Sequence, residues 1–448
     1  MSKRYWVETL GCPKNQVDSE KLIGTLLADG MEAAESAESA DLVVVNTCAC
    51  IEAARQESID TVLALSDKRM AGARVVVTGC MAERYGSELA EALPEADAVV
   101  GFGVPVQLSP KTDGSSRLVT SGAAANRATP VSLGRKPSRS GASVEPPVPS
   151  LDLLNLPRPK SSAPWAYVKI AEGCDRNCGF CAIPSFRGPQ RSRDVAQILD
   201  EVDALEVQEI VLVAQDLASY GKDRPKELGA GAIVDLVAQV AMKVRRTRLL
   251  YLYPSDLSDA LVDTMLATGV PYFDLSLQHV SRSLLRKMRR WGDGDRFLRR
   301  IEDIRKRADD AAFRSNFIVG YPGETEEDHD QLLSFVRNAD LDWCGFFEYS
   351  PEEGTYAYDL EGRVPDSLVR ERMGELTELQ DRITARKRDS LIGSTVEVLV
   401  DEIGVARSVR EAPEIDGVIH VPTALAPGSF ANVRIVGAIG PDCSAELA

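Results

Sequence analysis

Three cysteines within eight residues are the clearest chemical feature of the sequence. Cys174, Cys178 and Cys181 form a C-x3-C-x2-C pattern directly after a predicted strand, with Phe180 before the last thiol. Cubane iron–sulfur clusters are bound by thiolates, and four ligands complete one. Since only three thiols lie close together, one iron would keep an open position for a non-protein ligand, as catalytic metal sites do. A zinc site or a set of plain buried thiols is the weaker interpretation, because no second short cysteine pair or histidine occurs nearby.

A second group of thiols is dispersed through the amino-terminal part of the chain. Cys12, Cys48 and Cys80 each follow a predicted strand. Residues just past the carboxyl ends of parallel strands converge in one crevice of a doubly wound sheet, so we expect these thiols to form a second ligand set. Three independent buried cysteines are the alternative. Cys50 competes with Cys48 for the middle position, and we favour Cys48 because it lies nearer the strand end.

Alternating strands and helices are predicted to position the second group of thiols. The strands are buried apolar runs of the parallel kind, and the helices carry an apolar face. Residues 1–109 are therefore predicted to form a doubly wound α/β domain. The predicted strands are Tyr5–Leu10, Asp41–Asn46, Arg74–Thr78 and Asp97–Val100, and the predicted helices are Ser19–Ala28, Glu52–Leu65 and Glu83–Leu93.

Three further segments follow. Residues 110–163 are rich in Ser, Ala, Gly and Pro without periodicity, which is typical of a linker. Residues 164–389 return to strand–helix alternation, and six such units predict a partial parallel barrel, since a full one has eight. Residues 390–448 contain short alternating strands, which predict a small antiparallel barrel. The predicted strands of the partial barrel are Ala166–Ile170, Glu209–Ala214, Leu249–Tyr253, Phe273–Leu277, Arg314–Val319 and Gly345–Tyr349.

Composition limits the partners and the compartment. The chain of 448 residues has a net charge of −16, which favours a basic protein or a small molecule over a nucleic acid as its substrate. No run of ~18 apolar residues and no secretory signal is present, so we expect a cytoplasmic protein without a membrane span. The nine cysteines, an odd number, do not suggest a disulfide framework. Cys344 is expected in the core, and Cys443 is expected as an exposed thiol of the tail.

Several motifs together resemble the methylthiotransferase family of the radical S-adenosylmethionine superfamily. They are Thr9–Glu20, Asn46–Cys48, Thr78–Cys80 and the C-x3-C-x2-C string. The family joins an amino-terminal cluster domain, a radical S-adenosylmethionine barrel and a carboxy-terminal TRAM barrel. The resemblance implies two [4Fe–4S] clusters, an auxiliary one on Cys12, Cys48 and Cys80 and a radical-generating one on Cys174, Cys178 and Cys181. S-adenosylmethionine would bind the open iron of the latter as cosubstrate.

Within the family, the sequence resembles the RimO branch more than the MiaB branch. The strings that carry this are Gly11–Asn15, Ala171–Cys174, Ile183–Gly188, Gln215–Asp216, Leu277–His279 and Tyr349–Thr355. The resemblance implies methylthiolation of an aspartate β-carbon in a basic loop of small-subunit ribosomal protein S-twelve, either free or in the 30S subunit. The MiaB-type alternative is an adenosine of tRNA. The chain departs from a typical RimO in its long basic linker around Arg135–Arg139.

The resemblance also implies a division of chemistry. One S-adenosylmethionine methylates sulfur held at the auxiliary cluster, and a second yields a 5′-deoxyadenosyl radical that removes hydrogen from the substrate carbon. A low-potential donor such as flavodoxin or ferredoxin would supply electrons, and direct nucleic-acid binding is expected to be absent or secondary. Further candidates for cofactor binding stand at predicted strand ends or in the turn after a strand, and these are Gln215, Gln278, Gly320, Gly323 and Glu324.

Three other residues are left open by the sequence. His279 is more often a structural histidine than a base, and Arg187 and Arg191 could either bind a carboxylate or be surface charges. An alternative of another class is a non-catalytic iron–sulfur electron carrier or ribosome-binding protein. The C-x3-C-x2-C spacing disfavours a carrier, because it leaves one iron without a protein ligand.

Overall fold

The computed structural model describes residues 2–106, 118–119 and 152–448. Its contacts divide the chain into two units. The first comprises Met1–Pro159 together with Ser185–Arg187, and the second comprises Lys160–Pro184 together with Gly188–Ala448.

A six-stranded parallel sheet forms the centre of the first unit, in the order β2-β1-β3-β4-β5-β6. Its central strand, Leu42–Thr47, is buried along its whole length, which suits a run of valines covered on both faces. The doubly wound parallel domain is thereby confirmed. The strands are β1 (Arg4–Thr9), β2 (Glu32–Ala33), β3 (Leu42–Thr47), β4 (Arg74–Gly79), β5 (Ala98–Val100) and β6 (Leu118–Val119), and the helices are α1 (Pro13–Ala28), α2 (Glu52–Lys68) and α3 (Cys80–Ala92).

Helices α1 and α3 begin earlier than the apolar periodicity predicts. Helix α1 begins at Pro13. Proline suits the first helical position, because an N–H at that position would have no acceptor within the helix. Its first turns carry buried polar residues, among them Asn15 and Asp18, in place of an apolar stripe. Helix α3 begins at Cys80 and bends at Gly86, which has non-helical dihedral angles. The two cysteines Cys12 and Cys80 therefore stand at the beginnings of helices.

Parts of the predicted linker belong to the first unit. Leu118–Val119 adds the sixth strand beside β5, and Leu153–Asn155 forms a short 3-10 helix whose leucines are buried. The ammonium group of Lys21 in α1 donates to the carbonyl oxygens of Leu154 and Leu156, at 2.9 Å each. The basic stretch around Arg135–Arg139 lies outside the described residues.

The second unit contains six parallel strands in two three-stranded sheets, β11-β10-β7 and β12-β13-β14. A bridge between Leu252 and Leu275 links the two sheets, which gives the predicted partial barrel. The six parallel strands are β7 (Trp165–Lys169), β10 (Glu209–Val213), β11 (Arg246–Leu249), β12 (Tyr272–Gln278), β13 (Ala312–Val319) and β14 (Trp343–Glu348). The short strands β8 (Ala171–Glu172) and β9 (Arg191–Ser192) form a separate antiparallel pair. The helices are α5 (Val195–Leu205), α6 (Pro225–Leu228), α7 (Ala232–Ala241), α8 (Asp259–Ala267), α9 (Arg282–Lys287), α10 (Gly294–Arg305), α11 (Glu326–Ala339) and α12 (Asp366–Asp389). The short helix α4 (Ile183–Arg187) begins in this segment of the chain, but its residues Ser185–Arg187 belong to the first unit.

Strand β11 begins earlier in the chain than predicted. Its first residues include two buried arginines, Arg246 and Arg248, which the hydrophobic pattern does not mark as part of a buried strand. Arg248 donates from Nε to the Glu209 carboxylate at 2.8 Å, and both side chains are fully buried. Arg407 of the carboxy-terminal domain donates to the other oxygen of Glu209 at 3.0 Å, and Arg246 donates to the Arg407 carbonyl at 2.9 Å. These charges pair at the amino-terminal ends of the barrel strands, so a charged sequence there is compatible with a buried strand.

The carboxy-terminal domain is a closed five-stranded barrel in the order β15-β16-β17-β19-β18. The small barrel is confirmed, but it is not wholly antiparallel, because β17 and β19 pair in parallel. Cys443 is also not an exposed thiol, since it is buried in the core of this barrel. The strands are β15 (Thr395–Glu402), β16 (Val405–Arg407), β17 (Ile419–His420), β18 (Phe430–Ile439) and β19 (Asp442–Leu447). Among the helices of the described residues, none has both the length and the apolar character needed to cross a membrane.

Candidate functional site

Adjacent strands of the first unit deliver three cysteines to one edge of the sheet. Cys12 stands three residues past the end of β1, Cys48 directly follows β3, and Cys80 directly follows β4. Since β1 pairs with β3 and β3 with β4, these carboxyl ends are neighbours. The structure therefore brings together the sequence-predicted group Cys12, Cys48 and Cys80.

Glycines permit the close approach of these loops. Gly79 has a φ of 93°, and a Cβ there would lie 2.2 Å from Asn46 Oδ1 and 2.6 Å from the Thr47 carbonyl oxygen. Gly11 has a φ of 95°, and a Cβ there would lie 3.0 Å from the sulfur of Cys48. A side chain at either position would be both strained and obstructed. Each glycine directly precedes a candidate ligand, so the backbone is shaped around the thiols.

The thiols of this edge influence one another electrostatically. A hydrogen bond from the Cys50 thiol lowers the pKa of Cys48 to about 6 against the opposing effect of burial, and the cations Arg187 and Lys14 also lower it. The hydrogen bond to Cys48 raises the pKa of Cys50, and its burial and the charges of Cys48, Cys80 and Cys12 act in the same direction. Burial raises the pKa of Cys80 to about 11. Metal binding at this edge must therefore displace the proton from Cys80.

Arg187 contacts the Cys80 sulfur from the end of helix α4. Its Nη2 lies 3.1 Å from Cys80 Sγ and 2.6 Å from Asn15 Oδ1, and its Nη1 lies 2.7 Å from Asp18 Oδ2. The side chains of Arg187 and Asp18 are 3% and 1% exposed, and the guanidinium carbon lies 4.1 Å from the centre of the Phe102 ring. Arg187 is therefore a buried, ion-paired donor to a candidate cluster ligand, and it is not a surface charge.

In the second unit, the loop with Cys174, Cys178 and Cys181 is joined to two segments beyond it. The Gly179 N–H donates to the Met288 carbonyl at 2.8 Å, and the Gly179 carbonyl accepts from the Ala357 N–H at 2.7 Å. Burial raises the pKa of Cys174 to about 11 and that of Cys181 to about 12. Thiolates at these positions therefore require a positive partner such as a metal centre.

Two arginines position this loop over the carboxyl ends of the barrel strands. Arg176 donates from Nε to Asp216 at 2.5 Å and from Nη2 to Ser219 at 3.1 Å. Arg290 donates from Nη1 to Cys178 Sγ at 3.5 Å. Both guanidinium groups lie over the ring of Tyr253, at 3.9 Å and 3.8 Å from its centre. The loop is thus held by residues that follow β10 and β11 and by the segment after α9.

Gln215 and Gln278 stand at strand ends, as the sequence predicts. Gln215 follows β10 and donates to Glu172 Oε1 at 2.7 Å, while its own Oε1 is buried and has no hydrogen-bond partner in the described part of the chain. Gln278 ends β12 at a register shift and has a φ of 71°, which is costly for a residue with a side chain. His279, the next residue, is fully buried, and its Nδ1 accepts from the Ser281 N–H at 3.1 Å. This placement fits a structural histidine better than a base.

The Gly320–Glu324 turn follows β13 and is closed by its own glutamate. Glu324 accepts from the Gly320 N–H at 2.6 Å and from the Tyr321 N–H at 3.2 Å, and its other oxygen accepts from Arg372 at 3.0 Å. Its carboxylate therefore maintains the turn. Gly323 donates its N–H to the Gly362 carbonyl at 2.7 Å. The Tyr321 hydroxyl donates to the Lys287 carbonyl at 3.0 Å, which connects the turn to α9.

Several buried polar atoms near the carboxyl ends of the barrel strands have no hydrogen-bond partner among the described residues. They are Gln215 Oε1, Asp216 Oδ1, Arg290 Nε, Asn316 Oδ1 and Tyr349 Oη. Buried polar groups are normally hydrogen-bonded, so a cluster of unpaired ones suits a polar ligand with donors and acceptors of its own. Among the described residues, no three His, Cys, Asp or Glu side chains converge as they would on a single ion. A cubane is larger than one ion, and the two sets of three thiols fit it in chemistry and number.

Sequence reasoning missed the arginines and Tyr253. Arg176 lies inside the cysteine motif and was not singled out, and Arg290 and Tyr253 are distant from it in the chain. Arg187 was considered, but neither its partner Asp18 nor its contact with Cys80 could be read from the sequence. The available signal was the unusual number of arginines close to the cysteine motif and after α9.

Three family models match the chain in the order of its domains. Residues 4–101 match the uncharacterized protein family UPF0004, residues 168–336 match the radical SAM superfamily, and residues 392–447 match the TRAM domain. These matches, with the fold and the thiol loops, define the class: a radical S-adenosylmethionine enzyme with two accessory domains.

Curated relatives narrow the class. The ribosomal protein uS12 methylthiotransferase RimO of Kineococcus radiotolerans is 41% identical over 99% of this chain and 97% of its own. The enzyme of the same name from Streptomyces griseus is 39% identical over 98% and 96%, and that from Moorella thermoacetica is 39% identical over 96% and 96%. Among solved structures, a radical S-adenosylmethionine methyltransferase, TsrM, from Kitasatospora setae is 15% identical over 78% of this chain and 74% of its own, with a TM-score of 0.46. The chain belongs to the RimO family of methylthiotransferases, and it is a transferase.

Proposed function

We propose that this chain adds a methylthio group to the β-carbon of an aspartate in ribosomal protein uS12. The observation that carries the proposal is the 41% identity to a uS12 methylthiotransferase over nearly the full length of both chains. Such a likeness includes both thiol-bearing domains and the TRAM domain, so the whole catalytic apparatus has a counterpart. The two separate sets of three thiols agree with a reaction that needs two iron–sulfur centres.

We assign one [4Fe–4S] cluster to each set of thiols. Cys12, Cys48 and Cys80 would hold the auxiliary cluster, with Cys50 as the competing ligand for the middle position. The loop thiols would hold the other cluster, and these are Cys174, Cys178 and Cys181. When bound, the loop cluster and S-adenosylmethionine would supply the radical that removes a hydrogen atom from the aspartate, and the auxiliary cluster would carry or donate the sulfur.

The residues around the thiols have roles that their contacts support. Arg187 donates to Cys80, and Arg290 donates to Cys178, so each set of thiols faces a fixed positive charge. Such hydrogen bonds to ligand sulfurs favour the thiolate and adjust the properties of the cluster. Asp18 neutralises Arg187, so this charge can be buried. These residues hold and orient the sulfur ligands and do not themselves react.

We assign the binding of S-adenosylmethionine to the mouth of the partial barrel. Gln215 and Gln278 stand at strand ends there, and the turn that contains Gly320 and Gly323 follows β13. The unpaired Gln215 Oε1 is the best single candidate among them, because a buried acceptor without a donor is costly. Glu324 contributes indirectly, since its carboxylate holds the turn that carries the two glycines.

The charge of the chain supports a basic protein as substrate. The net charge is −16, and the segment from Leu391 to the end carries eight acidic and three basic residues. A domain that bound tRNA would be expected to carry an excess of Lys and Arg. We therefore propose the basic loop of uS12, free or in the 30S subunit, as the partner. Nucleic acid would have at most a secondary part.

The remaining assignments belong to the same proposal. They are a cytoplasmic location, a low-potential electron donor such as flavodoxin or ferredoxin, and a domain division at residues 1–109, 110–163, 164–389 and 390–448.

The test is a reconstituted reaction. The purified chain with both clusters is incubated anaerobically with S-adenosylmethionine, reductant and sulfide, and with either 30S subunits or total tRNA. We expect a methylthio-sized mass increase on the aspartate-bearing peptide of uS12 and none on tRNA nucleosides. A methylthioadenosine in the tRNA with unmodified uS12 would contradict the proposal.

A further inference from the structure

Helix α9 and the residues after it form a strongly basic stretch in an acidic chain. Residues 282–291 contain five cationic side chains and no acidic one, whereas the net charge of the chain is −16. Four of these cations are exposed, and we name them the α9 basic surface: Arg282, Arg286, Lys287 and Arg289. Within the described part of the chain, none of the four takes part in an ion pair. Lys287 and Arg289 donate to uncharged groups, the Gly323 carbonyl and the Asn177 side chain. The surface therefore presents uncompensated positive charge to solvent.

Helix stability does not account for this charge. Arg286 and Lys287 lie in the last turn of α9, where cations are favourable. Arg282 lies in the first turn, where a cation is unfavourable and where α9 has no acidic residue. The charge of Arg282 therefore serves neither the helix nor a neighbouring carboxylate, which points to a partner outside the chain.

The α9 basic surface adjoins the loop with Cys174, Cys178 and Cys181. The segment that ends α9 accepts the Gly179 N–H at Met288, 2.8 Å away, and its Arg290 reaches 3.5 Å from Cys178 Sγ. Arg289 donates to Asn177 Oδ1 at 3.3 Å. A protein bound to this surface would thus lie within a few side chains of the loop cysteines.

Exposed aromatic rings border the surface. The rings of Trp291 and Tyr356 belong to residues that are 44% and 42% exposed, and the guanidinium carbon of Arg289 lies 4.1 Å from the centre of the Tyr356 ring. Aromatic residues and arginine are the residue types enriched at protein interfaces. A charged patch with aromatic neighbours is therefore suited to a protein partner of opposite charge.

We propose that the α9 basic surface is the docking site for an acidic electron-donor protein that reduces the cluster held by Cys174, Cys178 and Cys181. The proposal rests on the proposed function only in that this loop holds a reducible cluster. One electron passes from the donor to the cluster, so the donor is oxidised by one electron and the cluster is reduced by one. No bond in the chain forms or breaks, and no proton needs to move.

The observations favour this partner over the two other macromolecules that the chain could meet. A basic loop of the proposed substrate would be repelled by the surface. Ribosomal RNA has the required negative charge and would lie near the cysteine loop if the substrate is uS12 in the 30S subunit, so RNA binding is measured below as the competing outcome. An electron donor is favoured, because electron transfer requires a short distance between the two centres whichever form of the substrate is used.

The test compares two charge-reversed variants of the full-length, cluster-loaded chain. R282E/R286E changes exposed residues of the α9 basic surface. K306E/R337E applies the same charge change to exposed residues at the other end of the barrel, after α10 and in the last turn of α11. Reduced flavodoxin is the probe, and dithionite is the small-molecule control. Stopped-flow absorbance follows cluster reduction, and deoxyadenosine formation from S-adenosylmethionine reports on the loop cluster alone.

We expect R282E/R286E to lower the second-order rate constant with flavodoxin by about tenfold or more at low ionic strength, because steering by opposite charge is lost. The difference should shrink as salt is added. K306E/R337E should retain the wild-type rate within about twofold, and dithionite should reduce all three proteins equally.

An unchanged flavodoxin rate in R282E/R286E would overturn the proposal. If that variant also bound a labelled ribosomal RNA fragment about tenfold more weakly, the surface would be assigned to RNA. Failure of the proposed function is distinguishable, since it would appear as absence of methylthio product from the wild-type chain with dithionite, whatever the flavodoxin rates are.

Discussion

The buried pair of Arg187 and Asp18 should contribute strongly to the stability of the first unit. Their side chains are 3% and 1% exposed, and the Arg187 Nη1 lies 2.7 Å from Asp18 Oδ2. In R187M the buried Asp18 carboxylate would lose the Arg187 guanidinium. Removal of one partner of a buried pair costs about 3–5 kcal/mol, against a total of roughly 5–15 kcal/mol for a domain. With about 4 °C lost per kcal/mol, the melting temperature of this unit should fall by at least ~12 °C.

A second variant separates loss of the ion pair from loss of side-chain packing. D18N/R187M removes both charges of the pair, so it should regain most of the stability that R187M loses. The matched control is R69M. Arg69 pairs with Asp97 in the same unit, but their side chains are 30% and 37% exposed. That exposed pair should contribute only about 0–1 kcal/mol to the free energy of unfolding.

The assay is differential scanning calorimetry of the metal-free full-length chain, with each transition assigned to a unit from variants in that unit. We expect the order wild type, then R69M, then D18N/R187M, and R187M as the least stable. If R187M melted together with R69M, the pair would not be a buried charge interaction of the kind described. If D18N/R187M were no more stable than R187M, packing rather than charge would be the cause.

Three further predictions use the same reasoning. Burial tends to raise the pKa of Glu209, but Arg407, Arg248 and Arg246 outweigh it and lower the pKa from its ordinary 4.5 to about 2. The ionised Glu209 carboxylate should therefore contribute about 3 kcal/mol to the free energy of unfolding above pH 4.5, and this contribution should be lost as the pH falls toward 2. Urea unfolding should show that the difference in stability between wild type and E209Q becomes smaller over that range. G79A should lower both the melting temperature and the iron content of the auxiliary site, because the new Cβ would collide with backbone and side-chain atoms. The control is G30A, since Gly30 also has a positive φ but a Cβ there would have no neighbour within 4 Å; it should lose only the backbone strain, about 1–3 kcal/mol of stability. C174A should abolish deoxyadenosine formation, whereas C12A should permit it and stop sulfur insertion; methylthiolated product from C12A would refute the auxiliary-cluster assignment.

The thiol arrangement could be predicted because it follows from strand order. Cys12, Cys48 and Cys80 each follow a strand, and the carboxyl ends of parallel strands share one edge, so their convergence needed only the correct strands. Their roles as ligands stay predictions. The partial barrel and the small terminal barrel were recognised from repeated strand–helix units and from short alternating strands.

The errors have physical causes in long-range pairing. Strand β11 was placed too late, because Arg246 and Arg248 look like surface residues. The structure shows that Arg248 pairs with the buried Glu209 carboxylate and that Arg246 donates to the Arg407 carbonyl oxygen. Helix α1 begins at Pro13, before the apolar periodicity, because its first turns are held by polar contacts. Asn15, for example, donates to the carbonyl oxygens of Leu10 and Thr47. No local pattern in the sequence contains such partners.

Arg187 shows the same limit at the candidate site. It lies 169 residues from Asp18 and 107 residues from Cys80 in the chain, so its contacts depend on the folded arrangement of the first unit. The α9 basic surface is different, because its excess of charge is visible in the sequence. What the structure adds is its exposure and its direct contact with the cysteine loop.

The most direct test of the proposed function is mass spectrometry of small-subunit ribosomal proteins and digested tRNA from cells with and without this gene. The proposal predicts that uS12 alone loses a methylthio-sized mass when the gene is deleted, and that a copy of the gene restores it. Loss of a methylthio group from a tRNA nucleoside, with uS12 unchanged, would contradict it and assign the chain to a tRNA substrate.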